Sequence, residues 1–438
     1  MNISSQKAQL RLSAKFNIQN STMSPVLPFD IISLIIDNVG ENNDTNLLKE
    51  LALVSHSFLH ICSKHLFSTV VLHDADPMHH VASSKKGFVK LLESKPDVVK
   101  YIRELTYIID YDHVQSPHFS PHLNLDNDDN LLSPILPNFL RTIPRLNCLK
   151  IKASLLDWSI LNSSITSALL HLMHLPTINH IDLSYIHKSP LSSLTPSVNL
   201  LRLDIHMLSD FDLEIEEDGS PSPKSIVKWE SMPKIRDFRT FDSYGATKRL
   251  LHAKMQDGRP AFNFMDLRQF TTRTDGRLED EQNIRYVLQN AKSLEKFHLY
   301  NGHQSLVGLH DILSLSARTL KVFDLSVLLY NNSLTLTELW VELEAMAGRN
   351  TLEAFSFEVQ VDDNVIEDFV GSIFRQVEGV LVKPGWSSAL REVSFKVEIR
   401  PAECSAKLLE ALQSLPDKHL SHLPKHESVA FNFSAYIY

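Results

Sequence analysis

Histidines and acidic residues stand close together at two places in this 438-residue chain, and a metal ion is the first chemistry to consider there. The first group contains His73, Asp74, Asp76, His79 and His80. The second is a pair, His118 and His122, which lie four residues apart. Their rings would lie on one face of a helix only if that helix were unbroken. Pro121 disrupts such a helix, and no HExxH motif occurs. Surface histidines fit this pattern better, so no metal site is predicted.

Other motifs that carry chemistry are missing from the sequence. The chain has no GxxxxGKS/T, GxGxxG or GxSxG motif, and its 12 glycines leave little material for loops that cradle phosphate. The acidic stretch DNDDN at 126–130 lacks the glycine and the final glutamate of a calcium loop. Serine, histidine and aspartate are plentiful, but nothing in the sequence brings them together. We therefore predict neither a cofactor nor an enzymatic activity.

Length and composition limit the architecture and the partners. A chain of 438 residues exceeds what one hydrophobic core usually serves, which predicts several domains or an elongated repeat array. The formal net charge of −9 argues against a nucleic-acid-binding protein, which would carry a basic surface. No apolar run approaches the roughly 18 residues that cross a bilayer, so no membrane span is predicted.

The three cysteines, Cys62, Cys148 and Cys404, lie far apart in the sequence. They form neither a disulfide framework nor a CxxC pair for zinc, so a reducing compartment, cytoplasm or nucleus, is expected. The first 22 residues are rich in serine, basic and free of acids, which is typical of a mitochondrial transit peptide. Since nothing later in the chain supports import, residues 1–22 are expected to be a disordered extension.

A short apolar pattern recurs ten times from about residue 100. The instances are IRELTY at 102, LNCLKI at 146, INHIDL at 178, VNLLRL at 198, IRDFRT at 235, LRQFTT at 267, LEKFHL at 294, LKVFDL at 320, LEAFSF at 352 and LREVSF at 390. The last two apolar positions lie two residues apart, which puts both on one face of a strand. Segments with helical periodicity, such as SALLHLMHL at 167–175, lie between them. The sequence therefore predicts an α/β protein in which strands and helices alternate.

The spacing of these strands predicts how they assemble. Successive motifs after residue 146 start 20 to 38 residues apart, a period typical of repeat proteins. The array resembles a degenerate leucine-rich repeat, although the usual asparagine after the strand is missing from most copies. The resemblance implies an irregular α/β solenoid over 76–400, with loop insertions at 112–130 and 209–225, and a C-terminal cap at 401–438. A globular α/β domain with ordinary crossover helices is the alternative.

The stretch LPFDIISLIIDNV at 27–39 opens a separate N-terminal module. Pro28 is tolerated in the first turn of a helix, and Asp30 favours the helix N-terminus. The apolar stripe of this helix is Ile31, Ile32, Ile35, Ile36 and Val39. LALVSHSFLHICSKHLF at 51–67 ends a second helix and forms a third, which Ser55 caps. Three helices in about 45 residues bury too little of this apolar surface, which predicts a partner.

These residues resemble an F-box of the fungal type. The shared features are an initial Leu-Pro with an acid two residues after the proline, an aliphatic helix, LxLVSxxF and a closing Leu-Phe, all within 26–72. Phe58 stands where the family usually has tryptophan, and the first loop is a few residues longer than usual. The resemblance implies a three-helix F-box over 23–75. Its core residues would be Leu51, Val54, Phe58 and Leu66. A helical cap on the repeat array is the alternative.

The same resemblance implies a partner for the N-terminal module. An F-box docks a Skp-type adaptor, which links the chain to a cullin–RING ubiquitin ligase. The expected adaptor-binding residues are Leu27, Pro28, Ile31, Ile32 and Ile35. An apolar helix that lies in a groove of another protein accounts physically for such a stripe.

Side chains between the buried positions of each strand would point to a surface that binds a target protein. The basic and aromatic residues expected there are Lys150, Lys152, Arg202, Arg239, Arg273, His298 and Tyr300. The same surface would include Asp182, Thr271, Asp324, Glu358, Ser394 and Lys396. Arginine clusters recognise acidic or phosphorylated groups, so a target of that kind is one interpretation. A solvated strand face without a partner is the other.

We therefore expect a non-catalytic substrate-recognition subunit of a Skp–cullin–F-box ubiquitin ligase. The N-terminal module would dock the adaptor, and the repeat domain would bind a target protein. A repeat scaffold that binds a partner without directing ubiquitination is the alternative. A hydrolase on a globular α/β fold is a third reading, and it requires Ser, His and Asp side chains that meet in a pocket.

Overall fold

The computed structural model describes residues 28–42, 44–73, 83–109, 135–188, 191–194, 196–208, 232–255, 258–302, 313–329, 341, 343–344, 351–361, 367–383, 385–386, 389–400, 405–420, 422–425 and 428–437. The expected disordered extension at 1–22 and the expected insertions at 112–130 and 209–225 lie outside these residues, as do Leu27 and Cys404. The chain divides into two compact units, Met1–Leu66 and Phe67–Tyr438.

The first unit consists of three helices in its described part. They are α1 (Phe29–Glu41), α2 (Thr45–Ala52) and α3 (His56–Leu66). The Asp44 carboxylate accepts a hydrogen bond from the Leu47 N–H at 3.0 Å, and the Ser55 hydroxyl accepts one from the Phe58 N–H at 3.3 Å. These side chains satisfy amide groups that the first turns of α2 and α3 leave without helical partners.

A small hydrophobic core joins the three helices of the first unit. Its buried members are Ile36, Leu48, Ile61 and Cys62. The partly buried side chains that pack around them are Ile32, Val39, Leu51, Ala52, Phe58 and Leu66. A core of this size is marginal for an independent domain, and such domains commonly gain stability from a partner.

Asp37 connects α1 to α3 through two side chains. Its carboxylate accepts a hydrogen bond from His65 Nε2 at 2.7 Å and lies 2.6 Å from Lys64 Nζ. Hydrogen bonds from Lys64 and His65 lower the pKa of the Asp37 carboxyl group. The His65 ring lies over Gly40, where a Cβ atom would overlap the ring. Glycine at this position therefore allows the two helices to approach closely.

The second unit is built on one sheet of twelve strands in the described part of the chain. They are β1 (Thr69–His73), β2 (Glu104–Ile109), β3 (Cys148–Asp157), β4 (His180–His187), β5 (Arg202–His206), β6 (Asp237–Phe241), β7 (Gln269–Thr274), β8 (Lys296–Asn301), β9 (Val322–Leu329), β10 (Ala354–Val361), β11 (Glu392–Ile399) and β12 (Ala430–Ile437). Every pairing is parallel, and the order in the sheet follows the order in the chain. The two edges of the sheet are therefore β1 and β12.

Helices lie between many of these strands and pack on one face of the sheet. They are α4 (Ser83–Ser94), α5 (Ile135–Thr142), α6 (Ser163–Met173), α7 (Tyr244–His252), α8 (Leu278–Asn290), α9 (Glu367–Leu381), α10 (Ser405–Gln413) and α11 (Leu415–His419). Crossovers between adjacent parallel strands are right-handed, so a chain that always steps in one direction places them all on the same face. The buried side chains of helices and strands accordingly form a single hydrophobic cluster.

Alternation within the strands fills that cluster. Along β10, for example, every second side chain is buried and those between are partly exposed. Five phenylalanines at one register form a ladder across β6 to β10: Phe238, Phe270, Phe297, Phe323 and Phe355. Adjacent ring centroids lie 5.6 to 5.8 Å apart. Aromatic contacts at these distances add to the stabilisation from burial.

The expected fold class, a three-helix F-box followed by an irregular leucine-rich-repeat-like solenoid, is wrong. In its described residues the second unit is an α/β fold with one long, open, all-parallel sheet of twelve strands. Residues 401–438, expected as a cap, contribute β12 to that sheet. The ten strands predicted from the motif are all present, as β2 to β11. The motif records which side chains of a strand are buried, and strands in solenoids and in open sheets share that alternation. It therefore located the strands but did not determine how they are arranged.

Candidate functional site

The first unit exposes apolar side chains along one side of α1. Ile31, Leu34 and Ile35, at helical spacing, are 43%, 66% and 50% exposed. We call these three residues the α1 ridge. Leu53 and Val54, just beyond α2, are also exposed. Single exposed apolar residues are ordinary, but a row of them on one helix marks a surface that another protein can cover.

The expected adaptor-binding residues divide between surface and core. Ile31 and Ile35 lie on the α1 ridge, and Pro28 is exposed just before the helix. Ile32 instead packs against the core of the unit, and Leu34, which is not among the expected adaptor-binding residues, is exposed. The helical period explains the difference, because successive residues point about 100° apart around the axis.

The expected core residues of the first unit also need one correction. Leu51, Phe58 and Leu66 are partly buried against the core. Val54 is not, because α2 ends at Ala52 and the Val54 side chain is 64% exposed. The apolar spacing in the sequence continues for two residues beyond the end of α2, so it wrongly predicted that Val54 is buried in the core.

The second unit presents charged and polar side chains on the sheet face opposite the hydrophobic cluster. We call the side chains of β3 to β12 that point away from the hydrophobic cluster the polar face. One register across it reads Lys150, Asp182, Asp204, Arg239, Thr271, His298, Asp324, Ser356, Ser394 and Asn432. Parallel sheets usually have both faces covered by apolar contacts. A charged face on the described sheet is therefore a candidate binding surface.

All seven expected target-binding residues lie on the polar face. Lys150, Arg239 and His298 occupy the register given above, and the others are two residues from it. Lys152 and Tyr300 are exposed, whereas the remaining five are partly buried. The alternation of the strands thus brings these residues onto one surface, but it does not show which of them are available to a partner.

Arginines and aspartates neutralise one another on β5 and β6. The Arg202 guanidinium donates to both carboxylate oxygens of Asp204, with Nη2 2.8 Å from Oδ2, and lies 3.6 Å from Asp237. Arg239 lies 3.4 Å from Asp237 and 3.8 Å from Asp204. Burial opposes the charge of Asp204, but hydrogen bonds from His180 and Arg202 outweigh it and lower the pKa of the carboxyl group. Both arginines are therefore engaged within the chain, which argues against an acidic or phosphorylated target here.

A thiol, an imidazole and a carboxylate line up across β3, β4 and β5. Cys148 Sγ lies 3.1 Å from His180 Nδ1, and His180 Nε2 donates to Asp204 Oδ2 at 3.0 Å. Since the Asp204 carboxylate can only accept, Nε2 carries the proton of the neutral ring, and Nδ1 is left to accept from the thiol. This is the order of groups in a cysteine nucleophile with its base and orienting acid. Burial, however, raises the pKa of Cys148 to about 11, which keeps it a thiol at neutral pH.

An aromatic row borders a cavity at the carboxyl ends of the strands. The His206 ring stacks on Phe241 with centroids 4.8 Å apart, and the Phe241 and Tyr300 centroids are 5.4 Å apart. The cavity has a volume of about 220 Å³ and is also lined by Arg273 and Gln360. Ligands of open parallel sheets commonly bind beyond the carboxyl ends of the strands.

Arg273, at this cavity, is neutralised by two aspartates. Its Nη1 donates to Asp242 at 3.3 Å, and its Nε lies 3.4 Å from Asp275. Asp242 has a left-handed backbone (φ 49°), as do Tyr185 (φ 60°) and Met207 (φ 47°) after the matching residues of β4 and β5. Each such conformation costs roughly 1–2 kcal/mol in a residue with a side chain. Three left-handed residues follow paired positions of β4, β5 and β6, so the surrounding structure holds this part of the sheet in a strained backbone conformation.

Carboxyl groups crowd together on β10 and β11. Glu358 lies beside Glu398, whose carboxylate accepts a hydrogen bond from Gln360 at 3.2 Å. Burial, followed by the neighbouring Glu398 carboxyl group, raises the pKa of Glu358. Burial and the charges of Glu358 and Asp324 also raise the pKa of Tyr300. At this end of the polar face, carboxyl groups therefore lie close enough to oppose one another's ionisation.

Sequence reasoning missed several residues of the polar face. They include Cys148, His180, Phe241 and Glu398. Each lies two residues before or after a position that the sequence did place on this surface. Extending the strand alternation by one further step at each end would have found them.

No protein-family model matches the chain, and no curated protein sequence matches it. None of the helices in the described segments is both long enough and apolar enough to cross a membrane. Among the described residues, no three His, Cys, Asp or Glu side chains meet in a way that would hold a metal ion. The interpretation of the two surfaces therefore depends on their own chemistry.

Proposed function

We propose that this protein is a non-catalytic substrate-recognition subunit of a Skp–cullin–F-box ubiquitin ligase. The first unit docks a Skp-type adaptor, and the polar face of the second unit holds a target protein. Such a subunit acts by positioning, because a target lysine held near an activated thioester reacts as if at high concentration. Cys62 and Cys148 are free and buried thiols, which suits work in the cytoplasm or nucleus.

The α1 ridge is the observation that carries this proposal. Ile31, Leu34 and Ile35 lie on the side of α1 that the small core does not use. Covering an exposed aliphatic side chain fully contributes about 1.5–3 kcal/mol, so a groove that takes the ridge gains a useful share of its affinity. Recognition of a helix in an apolar groove uses this spacing of anchors. The proposed partner is a Skp-type adaptor because that is the partner which the F-box resemblance of residues 26–72 implies.

The polar face supports the second half of the proposal. Its charged groups lie on a hydrogen-bonded sheet, and the cavity beside Phe241 and Tyr300 makes a concave place in this surface. A surface with aromatic anchors among paired charges is typical of protein recognition. The Cys148–His180–Asp204 line does not favour a hydrolase, because the buried thiol has a pKa of about 11.

Glutamates in place of Ile31 and Ile35 test the adaptor site. We expect the Ile31→Glu/Ile35→Glu variant to lose affinity for a purified Skp-type adaptor by about tenfold or more, because carboxylates are costly to bury in an apolar groove. Titration calorimetry measures the affinity. Circular dichroism shows whether the helices persist, which we expect because both side chains are exposed.

Leu278 provides a matched control for this experiment. It is 64% exposed at the start of α8, in the second unit, so Leu278→Glu introduces the same charge on another exposed apolar position. Adaptor affinity should be unchanged in this variant. Wild-type affinity in the folded Ile31→Glu/Ile35→Glu variant would contradict the proposal.

A scaffold that binds a partner without directing ubiquitination would use the same two surfaces. The two functions differ in what happens to the bound protein. With purified adaptor, cullin–RING ligase and charged conjugating enzyme, a recognition subunit promotes ubiquitin transfer to a co-purified target, and the Ile31→Glu/Ile35→Glu variant does not. A scaffold binds the same protein and leaves it unmodified.

A further inference from the structure

The strand β12 forms one edge of the described sheet, so one side of its backbone has no partner strand there. The Ala430 N–H donates to the Arg391 carbonyl at 2.7 Å, and the backbone groups of successive residues point to opposite sides of a strand. The residues whose N–H and C=O groups point to the open edge are therefore Phe431, Phe433, Ala435 and Ile437. Such an edge is a template for pairing with a further strand.

The strand β12 lacks the features that prevent pairing at exposed edges of other sheets, which are charged residues, prolines, bulges and short strands. It is eight residues long, contains no charged residue and no proline, and pairs with β11 in unbroken register. The opposite edge, β1, has only five residues. An uncharged edge can meet its own copy across a two-fold axis without bringing like charges together.

The apolar side of β12 is also covered incompletely. Phe431, Phe433 and Ala435 are only partly buried against the hydrophobic cluster, and Ile437 is 40% exposed. Two leucines of α10, the helix that packs on β12, are partly buried as well. A strand added at this edge must therefore carry apolar side chains towards the cluster and polar ones on the other face. The sequence AFNFSAYI of β12 has this alternation itself.

We propose that β12 pairs with β12 of a second copy of this chain, antiparallel about a two-fold axis beside Ser434. The inference goes beyond the proposed function, since neither adaptor docking nor target binding requires a second copy. Side chains directly opposite one another in an antiparallel pair point to the same face, so an axis perpendicular to the sheet joins the apolar faces of the two copies.

This register matches the side chains of the two copies. The opposed residues are Phe433 with Ala435, Phe431 with Ile437, and Asn432 with Tyr436. On the apolar face each phenylalanine thus meets a smaller side chain, and on the polar face an amide meets a phenol. The backbone groups at the open edge of one copy face those of the other, so all of them gain hydrogen-bond partners.

Cysteine at position 434 tests this pairing in the full-length chain. Ser434 is exposed and would lie opposite its own copy, at a pair whose Cα atoms are roughly 4.5 Å apart, a separation that a disulfide spans. We expect mild oxidation to link Ser434→Cys into dimers about tenfold or more faster than the wild-type chain, which controls for the native cysteines. Non-reducing gel electrophoresis measures the rate.

Asn432→Cys is the matched control, because Asn432 is exposed on the same face of the same strand. Residue 432 would lie opposite residue 436, so the two new thiols would be roughly 14 Å apart, too far for a disulfide. We expect this variant to form linked dimers no faster than the wild-type chain.

Proline at position 435 tests the pairing without a new thiol. Ala435→Pro removes an N–H that points to the open edge, and proline is tolerated on an edge strand when its nitrogen faces solvent. Sedimentation equilibrium should show a monomer–dimer equilibrium for the wild-type chain and a dissociation constant about tenfold or more higher for the variant. Urea unfolding shows whether the variant retains the fold.

Two outcomes would overturn the inference. A wild-type chain that stays monomeric at about 0.1 mM, with Ser434→Cys unlinked, would show that a second copy does not cover this edge. Equal rates of linking for Ser434→Cys and Asn432→Cys would indicate chance collisions of exposed thiols instead of one register.

Discussion

Carboxyl groups on β5 and on β10 of the polar face stand in opposite situations. Asp204 is buried on β5, but His180 and Arg202 donate hydrogen bonds to it and its pKa falls below the ordinary value. Glu358 on β10 has another carboxyl group, Glu398, as its neighbour, and burial together with that neighbour raises its pKa. The first carboxylate is balanced by donors within the chain, whereas the second has a carboxyl group as its closest titratable neighbour.

This comparison shows that a charged side chain is available to a partner protein only when no opposite charge of the same chain already pairs with it. The number of charges on a surface does not show this. Arg202 and Arg239 stand out in the sequence because arginine is a common recognition residue. Both are engaged by aspartates on neighbouring strands. Glu358 on β10, by contrast, has a carboxyl group beside it, and its pKa is raised.

Removing the charge of Asp204 should have the largest effect. We expect Asp204→Asn to lower the free energy of unfolding by about 3 kcal/mol at pH 7, because Arg202 and Arg239 lose a buried counter-charge. The expected loss is at the low end for buried pairs because both arginines are partly exposed. The pKa of Asp204 is lowered, so its contribution is present above the unfolded value of about 3.8 and is lost as the pH falls through the folded value.

Urea unfolding at several pH values measures this effect. Asp97 provides the control, since its ion pair with Lys100 is exposed and Asp97→Asn should leave the free energy of unfolding close to that of the wild type. A loss below 1 kcal/mol in Asp204→Asn would show that the arginine–aspartate network is not structural, and the contrast between the two ends would fail.

The reactivity of the Cys148 thiol tests whether His180 and Asp204 activate it as a nucleophile. We expect the thiol to react slowly. Its pKa of about 11 leaves less thiolate than an unfolded cysteine has, so alkylation by iodoacetamide at pH 7.5 should be about tenfold or more slower than in urea. Mass spectrometry of the Cys148 peptide gives the rate. Faster reaction in the folded chain, slowed by His180→Gln, would make the Cys148–His180–Asp204 line a reactive centre instead.

Removing the charge of Glu358 should have the smallest effect, and the opposite sign. The pKa of Glu358 is raised, so its contribution to stability is greatest below the unfolded value of 4.5 and is lost as the pH rises through the folded value. Glu358→Gln should therefore gain less than about 1 kcal/mol at pH 7, since the group is only half-buried, and nothing at pH 4. Urea unfolding at both pH values measures the gain, with Glu392→Gln as the control. Lower stability than wild type at pH 7 would mean that Glu358 is already balanced.

Local features of the fold could be predicted from the sequence, because the buried positions of a strand repeat every two residues. The ten motif strands were located in this way, and β1 and β12 were missed. TVVLH at 69–73 and AFNFSAYI at 430–437 lack the leading aliphatic residue of the motif. The arrangement of the strands was not predictable in the same way, since it depends on pairing between distant segments.

The candidate surfaces show the same limit. Alternation placed Arg239 and Tyr300 on one face correctly, but it cannot show that Asp237 engages one of them while the other remains exposed. On α1, helical spacing identified Ile31 and Ile35 and misplaced Ile32. Which stripe of a short amphipathic helix faces the core is decided by the packing of its neighbours, not by its own residues.

The agreement between sheet order and chain order has a consequence for biosynthesis. A ribosome delivers each strand directly after the one beside which it lies, so within the described sheet every new strand meets a neighbour that has already emerged. The phenylalanine ladder from Phe238 to Phe355 can then lengthen one ring at a time. No strand of this sheet has to wait for a distant, unsynthesised segment before its first pairing can form.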